Sequence, residues 1–214
     1  VVIHYVGVYL NIWRDTPEVE KSLVITTDTA VFAGGCFWCV EADFEKLYGV
    51  GDVISGYAGG NTENPSYKDY AAAGHREVVK VPYDPSKISY QKLVEHLITH
   101  ADASDYYGSF VDRGREYAPA IYYKNEDEKM MAGAVIKSDQ TYDKPIVIDI
   151  LPTPTFYPAE DYHQDFYKKN PTRYTYYRNA SGRNEFIKKH SGLSEIQYHV
   201  VKENGTEKPF DNAY

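Results

Sequence analysis

From residue 22 onward the apolar positions switch between two periods, and the switches mark out the elements. Stretches with a period of two, rich in β-branched and aromatic residues, predict strands over 23–32, 50–57, 76–81, 118–123 and 145–150. Between them, apolar residues three and four apart predict helices. One covers 36–48, with Val40, Phe44 and Leu47 on one side. A second runs from an N-cap at Ser89 to His100 and turns Leu93, Val94 and Leu97 inward. A third begins at Asn125, with Glu128 three residues later, and ends near 137. The order β-α-β-β-α-β predicts an α/β (α+β) chain, a two-layer sandwich with a ferredoxin-like core and a mixed sheet. Residues 151–177, rich in Pro and Tyr, lose both periods apart from one short helical stretch around 160–168. They are expected to wrap the core as a long C-terminal coil.

Composition narrows the function classes more than it names one. At 214 residues and 43% hydrophobic, the chain can bury one sizeable core. A formal charge of -8 and no basic stripe argue against a nucleic-acid partner. Residues 1–21 read as an N-terminal arm, or as the remnant of a targeting or anchor segment. Their apolar part, 1–13, is shorter than the roughly 20 residues a bilayer span takes. The compartment stays open between cytoplasm and cell envelope. Residues 22–190 form the expected main domain.

Both cysteines fall at the predicted junction of the first strand and first helix, Cys36 at the helix start and Cys39 one turn on. Unpaired N–H groups and the helix dipole favour an anion there, so Cys36 is expected to be a nucleophile with a lowered thiol pKa. Cys39, on the same side, can partner it. Two plainer readings compete: small buried hydrophobes, or half a zinc site, for which no second Cys pair or spaced His pair follows. His96 and His100 have metal-capable spacing but no third ligand, and are expected to be partly exposed helix residues. Glu160 and His163 have the spacing of a di-iron motif that needs two copies, and are read as structural. No metal site is expected. The run 56–61 lacks the residues of a phosphate loop and reads as permissive backbone.

A series of short motifs adds a resemblance. Gly35-Cys36-Phe37-Trp38, Gly56-Tyr57-Ala58-Gly59-Gly60, Asn64-Pro65-Ser66-Tyr67, Gly74-His75 with Glu77, Tyr83-Asp84-Pro85, Asp112-Arg113-Gly114 with Tyr117, and Ala159-Glu160-Asp161-Tyr162-His163-Gln164 stand in this order. Over 28–190 the chain resembles the peptide methionine sulfoxide reductase A family. The resemblance implies reduction of methionine-S-sulfoxide, free and in proteins, through a Cys36 sulfenic acid and a Cys36–Cys39 disulfide. No bound cofactor is implied; an external thiol, from a thioredoxin-like partner, supplies the electrons. By position, Cys36 resembles the nucleophile and Glu77 the acid. Tyr67 and Tyr117 resemble the phenol donors to the sulfoxide oxygen, and Asp112 a polar group beside them. Phe37 and Trp38 resemble the aromatic walls for the substrate methyl, and Cys39 is the sole resolving thiol the chain offers. Partial burial is expected to keep Glu77 protonated near neutrality.

The chain departs from the common pattern in three places. The C-terminal tail has no resolving cysteine, Ser109-Phe110-Val111 precedes Asp112, and Ala118-Pro119 follows Tyr117 where an arginine is frequent. Residues 191–214 read as a linker and are similar to the opening of the reductase B family, which implies a fused B domain in a longer protein. The rival reading is a general thiol–disulfide oxidoreductase using Cys36 and Cys39.

Overall fold

The computed structural model describes residues 26–194 and 197–199. The arm 1–21, and nearly all of 195–214, lie outside them. Within residues 26–190, eight strands and six α-helices follow in chain order: β1 (Asp28–Ala33), α1 (Phe37–Phe44), β2 (Ile54–Ala58), β3 (Arg76–Tyr83), α2 (Tyr90–His100), β4 (Gly108–Ser109), β5 (Asp112–Arg113), β6 (Ala120–Tyr123), α3 (Glu126–Ser138), β7 (Asp149–Pro152), β8 (Phe156–Pro158), α4 (Phe166–Lys169), α5 (Pro171–Ala180) and α6 (Arg183–His190). Six strands form one sheet in the order β7-β6-β1-β3-β2-β8, and β4 pairs with β5 separately. The inner four, β6-β1-β3-β2, are mutually antiparallel, as a βαββαβ chain with two helical crossovers requires. The third crossover, through α3, lays β7 parallel to β6, which makes the sheet mixed.

Strand alternation decides which side chains meet the helices. Ala30, Phe32, Tyr57, Val79, Val81 and Ile121 join Phe37, Val40 and Phe44 of α1 and Leu93, Val94 and Leu97 of α2 in the main core. Val31, Ala33, Ala58, Val78, Ala120 and Tyr122 form a smaller apolar cluster on the other face. Both predicted caps form: Ser89 Oγ accepts from Lys92 N at 3.3 Å, and Asn125 Oδ1 accepts from Glu128 N at 2.9 Å. No described helix is long and apolar enough to cross a membrane.

The C-terminal wrap carries more structure than its sequence suggests. β8 adds an antiparallel edge to β2, where flanking prolines cost no ladder bond. The strand expected at 145–150 is β7, which falls a few residues later, at Asp149–Pro152. α5 opens on Pro171, a position suited to a helix start. Helix α6 does bury residues at helical spacing, but they are Arg183, Ile187 and His190, so an apolar count misses them.

Candidate active site

The register of β1 and β3 builds the centre of the site. Phe32 pairs with Val79, so two residues further along each strand lie Gly34 and Glu77. Glu77 shares the helix-facing side of β3 with Val79 and Val81, and it stands beside the turn that leads into α1. That turn is tight: Gly35 has φ +87°, and a Cβ there would lie 2.6 Å from Ser109 Cβ. The small residue at 109, one of the departures noted above, lets the turn settle.

Cys36 is the N-cap of α1, but no side chain of its own helix caps it. Glu77 does so from the sheet, its Oε2 accepting from Phe37 N at 2.8 Å. The other oxygen, Oε1, lies 3.0 Å from the Tyr70 hydroxyl, which is 3.3 Å from that of Tyr117. Glu77 is 3% exposed, and burial pushes its carboxyl up to about 8, against the pull of these two hydrogen bonds. Burial thus favours the protonated form of this carboxyl. The Tyr70 hydroxyl can donate to Glu77 Oε1 or to the Tyr117 hydroxyl, so the three groups form one hydrogen-bonded chain.

Tyr67 closes the same side. It is 43% exposed, stacks on Tyr70 at 5.8 Å and lies 4.6 Å from the His163 ring. Burial, then the charges of Glu77 and Cys36, raise its phenol pKa. Burial also raises Tyr117, so both phenols keep their protons. Asp112, in β5, accepts from the Tyr177 hydroxyl, and burial raises its carboxyl. The Phe37 ring is 1% exposed and packs against His163 at 4.9 Å and Tyr57 at 5.9 Å. Trp38 is half-buried, stacked on Phe166 at 3.7 Å, with its indole N–H donating to His163 Nδ1 at 3.0 Å. Glu160 accepts from the Tyr57 hydroxyl and from Tyr67 N, each at 2.9 Å, so Glu160 and His163 together hold the aromatic wall.

One electrostatic expectation is overturned. The helix start does not lower the Cys36 thiol: burial first, then its hydrogen bond with Cys39 and the charge there, and last Glu77 and Asp112, push it up. Desolvation outweighs a helix end, worth about 0.3–1 kcal/mol at ordinary sites. Cys39 moves the other way, down to about 7, through a hydrogen bond from Cys36 and then the charges of Arg183 and Arg178, which overcome its burial. Both thiols are free. Neither is exposed, at 6% and 0%, so the helix start is not an open surface.

Other candidates resolve into supports. His75 is buried, its Nδ1 accepting from Gly60 N at 3.1 Å and its Nε2 donating to Thr62 O at 3.0 Å; it pins the glycine-rich loop. The His96 and His100 rings stack at 3.8 Å, half-buried, and burial lowers them to about 3 and about 4. Among the described residues, Glu41, Glu45 and Asp165 are the one group with metal-like spacing. Glu41 there accepts from Ser55 Oγ and Asp165 N, and Lys168 pairs with Glu45 at 2.6 Å. Sequence reasoning missed Tyr70 and Tyr177. Among 22 tyrosines, no spacing distinguishes the two that touch Glu77 and Asp112.

The family model for peptide methionine sulfoxide reductase matches residues 28–195. The chain belongs to this family. It is 53% identical to the peptide methionine sulfoxide reductase MsrA 2 of Rhizobium meliloti, over 75% of this chain and 81% of that one. It is 40% identical to the MsrA/MsrB protein of Vibrio cholerae, over 92% of this chain but only 64% of the length of that relative. The reductase fold is shared with reduced Mxr1 of Saccharomyces cerevisiae (TM-score 0.64, 26% identity, 68% and 86% coverage) and with methionine sulfoxide reductase A of Corynebacterium diphtheriae (0.61, 29%, 70% and 78%). The A-type domain is thus an oxidoreductase that reduces methionine sulfoxide, rather than a general thiol–disulfide exchanger.

Proposed function

We propose that this reductase acts on the S epimer of methionine sulfoxide, free and in proteins, with Cys36 as nucleophile and Glu77 as acid. The observation that carries the reading is a buried carboxyl, held toward its protonated form, capping the helix whose N-cap is the nucleophile. Cys36 Sγ attacks the sulfoxide sulfur. Glu77 gives its proton to the sulfoxide oxygen, through Tyr70 and Tyr117 or directly, and recovers the proton that Cys36 gives up. As the oxygen passes to Cys36 as a sulfenic acid, the S–O bond and the bond between Cys36 Sγ and the substrate sulfur both break, and methionine leaves. Tyr67 and Tyr117 hold the oxygen, Asp112 orders the polar side, and Trp38, backed by Phe37, faces the methyl group.

Recycling uses Cys39. Its thiolate attacks the Cys36 sulfenic sulfur, a disulfide forms, and hydroxide leaves with a proton as water. A thioredoxin-like dithiol then reduces the disulfide, with no bound metal or prosthetic group in the cycle. Closing so short a loop takes the first turn of α1 apart, because a disulfide needs close Cβ atoms. Residues 191–214 are read as a linker into a B-type domain of a longer protein.

Turnover of each sulfoxide epimer with dithiothreitol tests the reading. Activity on the S epimer alone is expected, and preference for the R epimer would overturn it. Cys39→Ser should complete one stoichiometric turnover, lose thioredoxin-driven cycling and accumulate a dimedone-trappable sulfenic acid. Normal cycling in that variant would make Cys39 a packing residue.

A further inference from the structure

The face of the sheet turned away from α1 carries a cavity that the sulfoxide chemistry leaves unused. Its volume is about 380 Å³, and it is lined by Arg76 of β3, Arg115, Tyr122 of β6, and the apolar group Leu151, Pro152 and Pro154. Side chains alternate along β3, so Arg76 and Glu77 point to opposite faces and the cavity lies apart from the two sulfurs. Arg76, 7% exposed, and Arg115 both end on one oxygen of Asp149, Oδ2, the second at 2.9 Å. Two guanidiniums against one carboxylate leave a positive charge in excess. Their remaining printed partners are carbonyls, Pro119 O at 3.4 Å from Arg76 Nη1 and Tyr106 O at 3.1 Å from Arg115 Nη1. No acidic side chain lines the cavity. Tyr122 is 2% exposed, and its hydroxyl has no hydrogen-bond partner among the described residues, an uncommon state for a buried phenol. Gly59 keeps the space in front of it free, since a Cβ there would lie 3.3 Å from that hydroxyl.

We infer that this cavity is a second binding site, for a small organic molecule with one carboxylate, which Arg76, Arg115 and the Tyr122 hydroxyl hold while Leu151, Pro152 and Pro154 pack its apolar part. Small-molecule sites have this composition, an apolar lining with a few convergent polar groups, and volumes of roughly 300–1,000 Å³. A guanidinium fork matches the two oxygens of a carboxylate. The charge argues for the same class. One negative charge cancels the excess, whereas a phosphate monoester would bring about 1.5 to 2. Burial raises the Tyr122 phenol, so it keeps its proton and can donate to the anion. The site shares no residue with those proposed for sulfoxide reduction, so its failure would leave that reading untouched.

Calorimetric titration of the whole chain with benzoate, in a buffer free of phosphate and other carboxylates, tests the site. One molecule should bind per chain, with a Kd of about 1 mM or tighter. Benzyl alcohol, the same ring without the charge, should give no saturable heat, and inorganic phosphate should bind at least about tenfold more weakly than benzoate. Arg115→Gln should weaken benzoate about tenfold and Tyr122→Phe about fivefold, for the loss of a charged and a neutral hydrogen bond. Both variants are expected to fold, because the Arg115 side chain is 42% exposed, Arg76 still pairs with Asp149, and phenylalanine keeps the ring at 122. No saturable binding of benzoate would overturn the inference. Phosphate binding more tightly than benzoate would do the same for the carboxylate class, and benzoate affinity unmoved by both variants would place the ligand elsewhere on the chain and overturn the site.

Discussion

The two sulfurs lie one helical turn apart, in opposite electrostatic settings. Around Cys36 stand carboxyls and phenols, and its thiol is pushed up; around Cys39 stand two arginines, and its thiol comes down to about 7. Part of the setting of Cys36 comes from strands, Glu77 of β3 in the main sheet and Asp112 of β5 in the separate hairpin, whereas that of Cys39 draws on α5 and α6. A C-x-x-C pair on one short helix is thereby made asymmetric by elements far apart in sequence. The neutral thiol suits a reaction that ends by moving its own proton onto oxygen. A thiol with a lowered pKa suits the displacement proposed to follow.

The contrast can be broken most severely at Cys36. Cys36→Ser should abolish reduction of methionine sulfoxide, even in a single turnover, as followed by release of methionine. Glu77→Gln comes next, with sulfenic acid formation slowed about two to four orders of magnitude, the usual range for general acid catalysis. The pH profile sharpens this. In the parent, the first half-reaction should fall as pH rises through about 8 and the proton of Glu77 is lost. Disulfide formation should rise through about 7 as Cys39 ionises. Rapid-quench measurement of each step should show these opposite slopes, and Glu77→Gln should flatten only the first. Tyr70→Phe interrupts the hydrogen-bonded chain and leaves Glu77 with one partner fewer; a loss of roughly tenfold in the first step, about 1.4 kcal/mol, matches one buried hydrogen bond. The smallest effect lies far from both sulfurs. Asn125→Ala removes the cap of α3 and should cost about 1 kcal/mol of stability in denaturant unfolding, without changing either half-reaction.

How much of this was legible follows the same division. The sheet and α1 to α3 carry their signals locally, in alternating Val and Ile, in Ser89 and in Asn125, so the ferredoxin-like core and the N-cap position of Cys36 follow from spacing. The nucleophile and acid proposed here are picked out by the family motifs. The direction of the Cys36 shift was not, because the helix start is written in the sequence and the burial of its thiol is not. Helices α5 and α6 stayed hidden because their buried faces use Arg178, Arg183 and His190, and their partners are backbone carbonyls and Asp43 in other elements. Strand β8 stayed hidden because three residues between prolines make too short a pattern.

A repair enzyme must survive the oxidants whose damage it reverses. Peroxides attack thiolates, and they find Cys36 protonated and 6% exposed. On the mechanism proposed above, oxygen reaches this sulfur as a bound sulfoxide, delivered beside a proton donor. The sulfenic acid would then form one turn from Cys39, whose lowered pKa favours the attack that closes a disulfide ahead of the irreversible sulfinic state. Burial of the resting thiol would thus serve selectivity against overoxidation.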